Sequence, residues 1–100
     1  MGTYRPMKVF WSAASVRHLR EVVEYIQSES AAGAATIRRR ILETVWRVGQ
    51  LPYSGRTGRV EEMREAVVPR TAYIVVYRIS AQAVEIVGIW HAARLWPQAF

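Results

Sequence analysis

Apolar positions recur along this chain with two rhythms, and each rhythm predicts a different element. The run Met7-Lys8-Val9-Phe10-Trp11 is apolar, aromatic and β-branched, which predicts a short strand. Ser12 then offers a helix N-cap. Beyond it Val16, Leu19, Val23 and Ile26 fall three and four apart, so an amphipathic helix is predicted over 13–27. Arg17 and Glu21, and likewise Arg20 and Glu24, sit four apart on its other faces. The stretch 28–33 breaks the rhythm and reads as a tight link. A second helix is predicted over 34–48, with Ile37, Ile41, Val45 and Val48 as its stripe, widened by Leu42 and Trp46. Gly49 suits the residue just past the helix end, and Pro52 prevents resumption. Two helices on so short a link predict an antiparallel hairpin.

From 51 to 60 the chain holds Pro52, Gly55 and Gly58 and reads as a loop. Three strand-like runs follow, at 63–68, 73–79 and 84–91, separated by turns at 69–71 and 80–83. Short turns between consecutive strands predict an antiparallel meander. The order β-α-α-β-β-β predicts an α+β fold, with the helix hairpin on one face of a small, mostly antiparallel sheet. One hundred residues make one domain, with 1–6 as an extension and 95–100 as a tail. Strict alternation places Tyr73, Val75, Tyr77 and Ile79 on one face, and Ile74, Val76 and Arg78 on the other. In the last strand it groups Val84, Ile86, Gly88 and Trp90 against Glu85, Val87, Ile89 and His91. Both faces are apolar mid-strand, so the face away from the helices is expected to be covered by the tail or by a partner chain.

Composition narrows the class. Hydrophobic residues are 51% and charged residues 22%, as in a folded globular domain. Cysteine is absent, which removes disulfides and thiolate metal sites and suits a reducing compartment. No apolar run approaches the roughly 18 residues of a membrane span, and the N-terminus lacks the apolar centre of a signal peptide. A cytoplasmic location without a membrane partner is therefore expected. The net charge is +6, and thirteen of the fourteen basic residues are arginine, Lys8 being the exception. Arginine suits bidentate pairing with carboxylate or phosphate, so an anionic partner is expected, either nucleic acid or an acidic protein. A high-GC genome accounts equally for the arginine-to-lysine ratio, though not for the excess of basic over acidic residues.

Most catalytic chemistries are excluded. His18 and His91 lie far apart with no metal-ligand spacing, so neither metal nor other cofactor is expected. Without aspartate or a GxSxG motif there is no Ser-His-Asp set. Gly55-Arg56-Thr57-Gly58-Arg59 lacks the ending of a phosphate loop and reads as a turn bearing two guanidinium groups. Adjacent Glu61 and Glu62 point apart, and Arg38-Arg39-Arg40 spread around a helical turn. The sharpest candidates are His91, a general acid or base at a strand end, and Arg94, a cation for developing phosphate charge. With Arg64 and Arg78 near one sheet face they form a conceivable metal-free RNA-cleaving set. The plainer alternative has His91 capping the strand end and Arg94 pairing with Glu85 or with a partner's carboxylate.

An ordered set of short pieces also carries a resemblance. It runs Val9-Phe10-Trp11-Ser12, Ala14, Leu19, Tyr25-Ile26, Pro52, Gly55-Arg56, Gly58-Arg59-Val60 and Met63-Arg64-Glu65, then Tyr73–Arg78 and His91-Ala92-Ala93-Arg94. Across residues 8–97 the chain resembles the RelE/ParE-superfamily toxins of bacterial type II toxin–antitoxin modules. The resemblance implies growth inhibition, as in plasmid stabilisation, and neutralisation by a co-expressed antitoxin whose disordered segment wraps the toxin. Operator DNA would be reached only through that antitoxin. RelE-like members cleave mRNA on the ribosome with a lysine and arginine cluster and a terminal tyrosine; ParE-like members poison DNA gyrase. Here Ile74 stands where RelE-like toxins carry an arginine, Arg64 and Ala66 replace a lysine pair, and Trp96 rather than a tyrosine follows Arg94. The resemblance is therefore closer to ParE. It implies target or phosphate contacts from Arg56, Arg59, Arg64, Arg78 and Trp96. The alternatives are a ribosome-dependent RNase using His91 and Arg94, or an inactive homologue kept for antitoxin or operator binding.

Overall fold

Five strands and two helices make up the fold in the computed structural model, which describes residues 5–94. In chain order they are β1 (Lys8–Trp11), α1 (Ala13–Gln27), α2 (Ala31–Gln50), β2 (Arg56–Thr57), β3 (Arg64–Val67), β4 (Tyr73–Ser80) and β5 (Ala83–His91). The sheet order is β1-β5-β4-β3-β2, antiparallel except where β1 runs parallel to β5. The expected α+β class and helix hairpin are present. The loop expected at 51–60 differs: it contains a 3-10 turn, Pro52–Ser54, and the short edge strand β2.

Both helices start on serine caps. Ser12 accepts the Ser15 N–H at 3.0 Å, and Ser30 accepts the Gly33 N–H at 2.9 Å. Each cap satisfies a donor that a helix start otherwise leaves open, worth about 1 kcal/mol. The Ser30 cap explains why α2 begins three residues before its predicted start and the link shrinks to 28–30. At the other end, Gly49 does not terminate α2; Leu51 does. Gly49 is instead buried beneath β1, where a Cβ would lie 2.7 Å from the Val9 Cγ2. Its carbonyl accepts the Met7 N–H at 2.9 Å.

The α2 stripe is as predicted: Ile37, Ile41, Val45 and Val48 are all buried. Each contributes roughly 1.5–3 kcal/mol of apolar burial. Trp46, expected to widen that stripe, points outward and is 67% exposed. In α1 the stripe is rotated. Ser15 and Val22 are buried, Leu19 and Ile26 pack at the margin of the core, and Val16 is left 42% exposed.

The sheet separates two apolar clusters. The larger lies under the helices and includes Val75, Tyr77, Val84, Ile86 and Ile89. The smaller, on the other face, joins Ile74, Val76 and Val87 to Val60 and Met63 of the loop before β3, with Trp90 beside it. That loop covers part of the face the sequence left to a tail or a partner. The alternation expected in β5 fails at one point. Val76 pairs with Gly88 but Tyr77 pairs with Ile86, so Val87 is an extra residue, a β-bulge. Beyond it the faces exchange. Ile89 and His91 turn to the helix side, while Trp90, opposite Ile74, turns away.

Candidate functional site

The bulge places the end of β5 beside α1, where β1 has already ended. Ser12 N–H donates to the Ile86 carbonyl at 3.0 Å, closing the β1–β5 pairing. From there side chains of the helix take over the exposed strand edge. Ser12 Oγ donates to the Val87 carbonyl at 3.2 Å, and His18 Nδ1 accepts the Ile89 N–H at 3.2 Å. Buried backbone groups need partners, and here a serine and a histidine stand in for a neighbouring strand. An imidazole accepting at Nδ1 carries its proton on Nε2. Burial pushes the His18 pKa below 6.5, and the Arg17 and Arg94 charges push the same way against Glu21. Both effects favour the neutral ring.

A cleft of about 340 Å³ opens between α1 and this strand end. His18, Glu21, Val22 and Tyr25 line it from the helix, and Tyr73, Ile89, His91, Ala93 and Arg94 from the sheet and the turn after it. His91 Nδ1 accepts the Ala93 N–H at 3.1 Å, and its ring meets Tyr73 edge-on with centroids 5.3 Å apart. Arg94 stands 5.9 Å from the Trp90 ring centroid, in cation–π range. The two residues predicted from the sequence, His91 and Arg94, are therefore brought together. His18, Glu21, Tyr25 and Tyr73 were missed. Their signal was present, since positions 18, 21, 22 and 25 share one helix face, but only the bulge reveals that His91 faces them.

The other arginines do not join this cleft. Arg64 lies opposite Tyr77 on the helix side, whereas Arg78, the next residue along β4, faces away. The common face expected for the two is not formed. Tyr77 also lies four residues along β4 from Tyr73, the partner of His91, a separation of roughly 13 Å. Arg64 Nη2 donates to the Gly55 carbonyl at 2.8 Å and the Tyr53 carbonyl at 3.3 Å, with its guanidinium over the Tyr53 ring. Arg78 pairs with Glu85 at 2.7 Å, the carboxylate that the sequence offered to Arg94.

Arg56 and Arg59 converge on one buried carboxylate. Glu65 is 3% exposed, and its Oε1 accepts from Arg56 Nε at 3.1 Å and Nη2 at 2.9 Å. Its Oε2 accepts the Arg59 backbone N–H at 2.8 Å and Arg59 Nε at 3.2 Å. Burial alone would raise the Glu65 pKa, but the Arg59 N–H and the two guanidinium groups outweigh it and hold the carboxyl below its ordinary value. Trp96 lies outside the described residues.

A further surface lies on the hairpin. Val16 and Val23, the part of the α1 stripe rotated out of the core, line a groove of about 460 Å³ with Leu19, Arg20, Glu24 and Arg38.

Comparison with known proteins places this architecture. Residues 9–96 match the family model described as the ParE toxin of the parDE type II toxin–antitoxin system. The chain is 37% identical over 91 residues to Y4kP of Sinorhizobium fredii, whose name assigns it to the toxins; the match covers 91% of this chain and 94% of Y4kP. Among solved structures, the fold is similar to a chain of the chromosomal ParDE system of P. aeruginosa, with a TM-score of 0.77 and 19% identity over 86% of this chain and 96% of that one. It is also similar to a chain of the RelBE2 toxin–antitoxin complex of Mycobacterium tuberculosis, with a TM-score of 0.68 and 20% identity over 94% of this chain and 100% of that one. The chain belongs to the ParE toxin family of type II toxin–antitoxin systems.

Proposed function

We propose that this toxin acts in the cytoplasm as a non-enzymatic binder that traps a DNA-processing enzyme, DNA gyrase being the target that the ParE family implies, until a cognate antitoxin removes it. One observation carries the choice against RNA cleavage. The arginines needed around a scissile phosphate are dispersed: Arg64 holds the loop before β2, Arg78 holds Glu85, and Arg56 and Arg59 hold Glu65. A cleavage site needs such donors preorganised at one point. A binding surface does not.

The antitoxin is assigned to the hairpin groove. Its floor of Val16, Leu19 and Val23 with Arg20 and Arg38 at the rim matches an amphipathic segment carrying acidic residues, ordered as it binds. Target contacts then come from exposed arginines around the sheet and from the segment 95–100. Induction of the toxin without antitoxin, with plasmid supercoiling and mRNA integrity followed together, tests the reading. Loss of supercoiling with intact mRNA is expected. Codon-positioned mRNA cuts with normal supercoiling would overturn it and move His91 and Arg94 into a catalytic role.

A further inference from the structure

The cleft between α1 and the end of β5 is not used by the binder reading, yet its donors are unusually constrained. Both histidines of the chain line it, and each has its Nδ1 committed as an acceptor: His18 to the Ile89 N–H, His91 to the Ala93 N–H. In the neutral rings the proton therefore resides on Nε2, so each imidazole offers a ligand one N–H donor and no acceptor. Arg94 lines the same cleft and adds a guanidinium. Three residues that carry such donors, one of them permanently charged, line a single concavity, a set that matches the oxygens of a phosphate group.

The remaining walls indicate what the phosphate is attached to. Tyr25 and Tyr73 line the cleft, and Tyr25 is 68% exposed, an apolar ring turned toward solvent. At about 340 Å³ the cleft falls within the range of small-molecule sites and exceeds what a bare inorganic anion fills. Glu21 would repel a second phosphate, but it supplies the acceptor that a sugar hydroxyl or an exocyclic amine requires. A simple carboxylate would leave both aromatic walls and Glu21 unused.

We propose that this cleft binds a nucleoside phosphate, with Arg94 and the Nε2–H groups of His18 and His91 on the phosphate, Tyr25 and Tyr73 along the base or sugar, and Glu21 on a ligand donor. The same chemistry is presented by a free nucleotide and by a nucleotide within an RNA strand. The proposal does not rest on the gyrase reading, whose test has a separate readout.

The full chain contains two histidines, so its imidazole Cε1–H NMR signals are two site-specific reporters, assigned with His18→Gln and His91→Gln. The probes are adenosine 5′-monophosphate and a short oligoadenylate. Both signals are expected to shift along one saturating curve. Arg94→Ala, a change at an exposed turn residue, should weaken binding by about tenfold or more, as loss of a charge-assisted contact does. Arg39→Ala, at an exposed position of α2, should leave it unchanged. Saturation by the monophosphate assigns the site to free nucleotides. Saturation by the oligonucleotide alone, with the same Arg94 dependence, supports the phosphate site and assigns it to a nucleic-acid strand. Stationary signals with both probes, or equal weakening by Arg94→Ala and Arg39→Ala, would overturn the proposal, the latter reducing it to nonspecific attraction of polyanions to a +6 protein.

Discussion

Replacing Tyr77 by phenylalanine should cost far more than one hydroxyl normally does. Tyr77 is 0% exposed, and its hydroxyl donates to the Pro52 carbonyl at 2.7 Å while accepting the Gly55 N–H at 3.0 Å. The variant keeps the ring and its packing but leaves a buried carbonyl and a buried N–H without that partner. At about 1–2 kcal/mol for each of the two orphaned neutral groups, the loss should reach about 2–4 kcal/mol. In a domain of this size that lowers Tm by roughly 10–25 °C. Gly55 provides an internal check. A Cβ there would collide with the Tyr77 hydroxyl and come 2.8 Å from the Glu65 carbonyl oxygen. Gly55→Ala alone should therefore destabilise by about 1–3 kcal/mol. In the phenylalanine background the nearest of three obstacles, the hydroxyl, is gone, while the Glu65 carbonyl oxygen and the ring Cε1 at 3.0 Å remain. The double variant should then be more stable than the sum of the singles predicts, by about 1 kcal/mol or more. Urea unfolding followed by tryptophan fluorescence measures all four members of the cycle. Strict additivity, or a Tyr77→Phe loss below about 0.5 kcal/mol, would show that the hydroxyl does not hold the loop before β2 to the sheet.

Two further predictions concern charge. His18 has a folded-state pKa below 6.5, so the unfolded chain binds more protons as pH falls through that value; stability is complete above about 6.5 and declines below it. His18→Gln keeps an acceptor for Ile89 without a titrating ring, and its unfolding free energy should lose that slope; an unchanged slope would move the effect to another group. Glu65→Gln should destabilise by about 1–3 kcal/mol, because an amide cannot serve the Arg56 and Arg59 donors with both its heavy atoms. It should also remove the loss of stability that the wild type shows as pH falls through the folded-state pKa of Glu65, which lies below the ordinary carboxylate value.

Much of this architecture was legible in the order of apolar residues, because helix and strand periods are imposed by backbone geometry. The α2 stripe shows it: Ile37, Ile41, Val45 and Val48 all reached the core. Where a period had to be phased, the reading slipped. Val16 and Val23 look like core residues in sequence, but α1 docks on Ser15 and Val22, whose small and medium volumes permit close approach to the sheet. Gly49 looks like a terminator, yet its role is set by a contact with Val9, forty residues earlier. The site was half legible for the same reason. His91 and Arg94 stood out by chemical type, while His18 became relevant only through the bulge at Val87, which no local pattern announces. Arg56, Arg59, Arg64 and Arg78 were read as a cationic surface, and nothing short of the fold assigns Glu65, Glu85 and two loop carbonyls as their partners.

That bulge divides β5 into two halves with separate histories open to them. Residues before Val87 are tied in phase to β1 and the core, so an insertion or deletion there would invert the interior. Past the bulge only the strand end and its turn follow, and a change of one residue in length simply trades which side chains meet α1. Deleting Gly88 while the bulge is kept would set Trp90 opposite Val75 and His91 opposite Ile74, bringing Trp90 to the helix side and turning His91 away. Toxins built on this frame thus have an inexpensive route to exchange the chemistry at this corner, through backbone phase rather than through substitution.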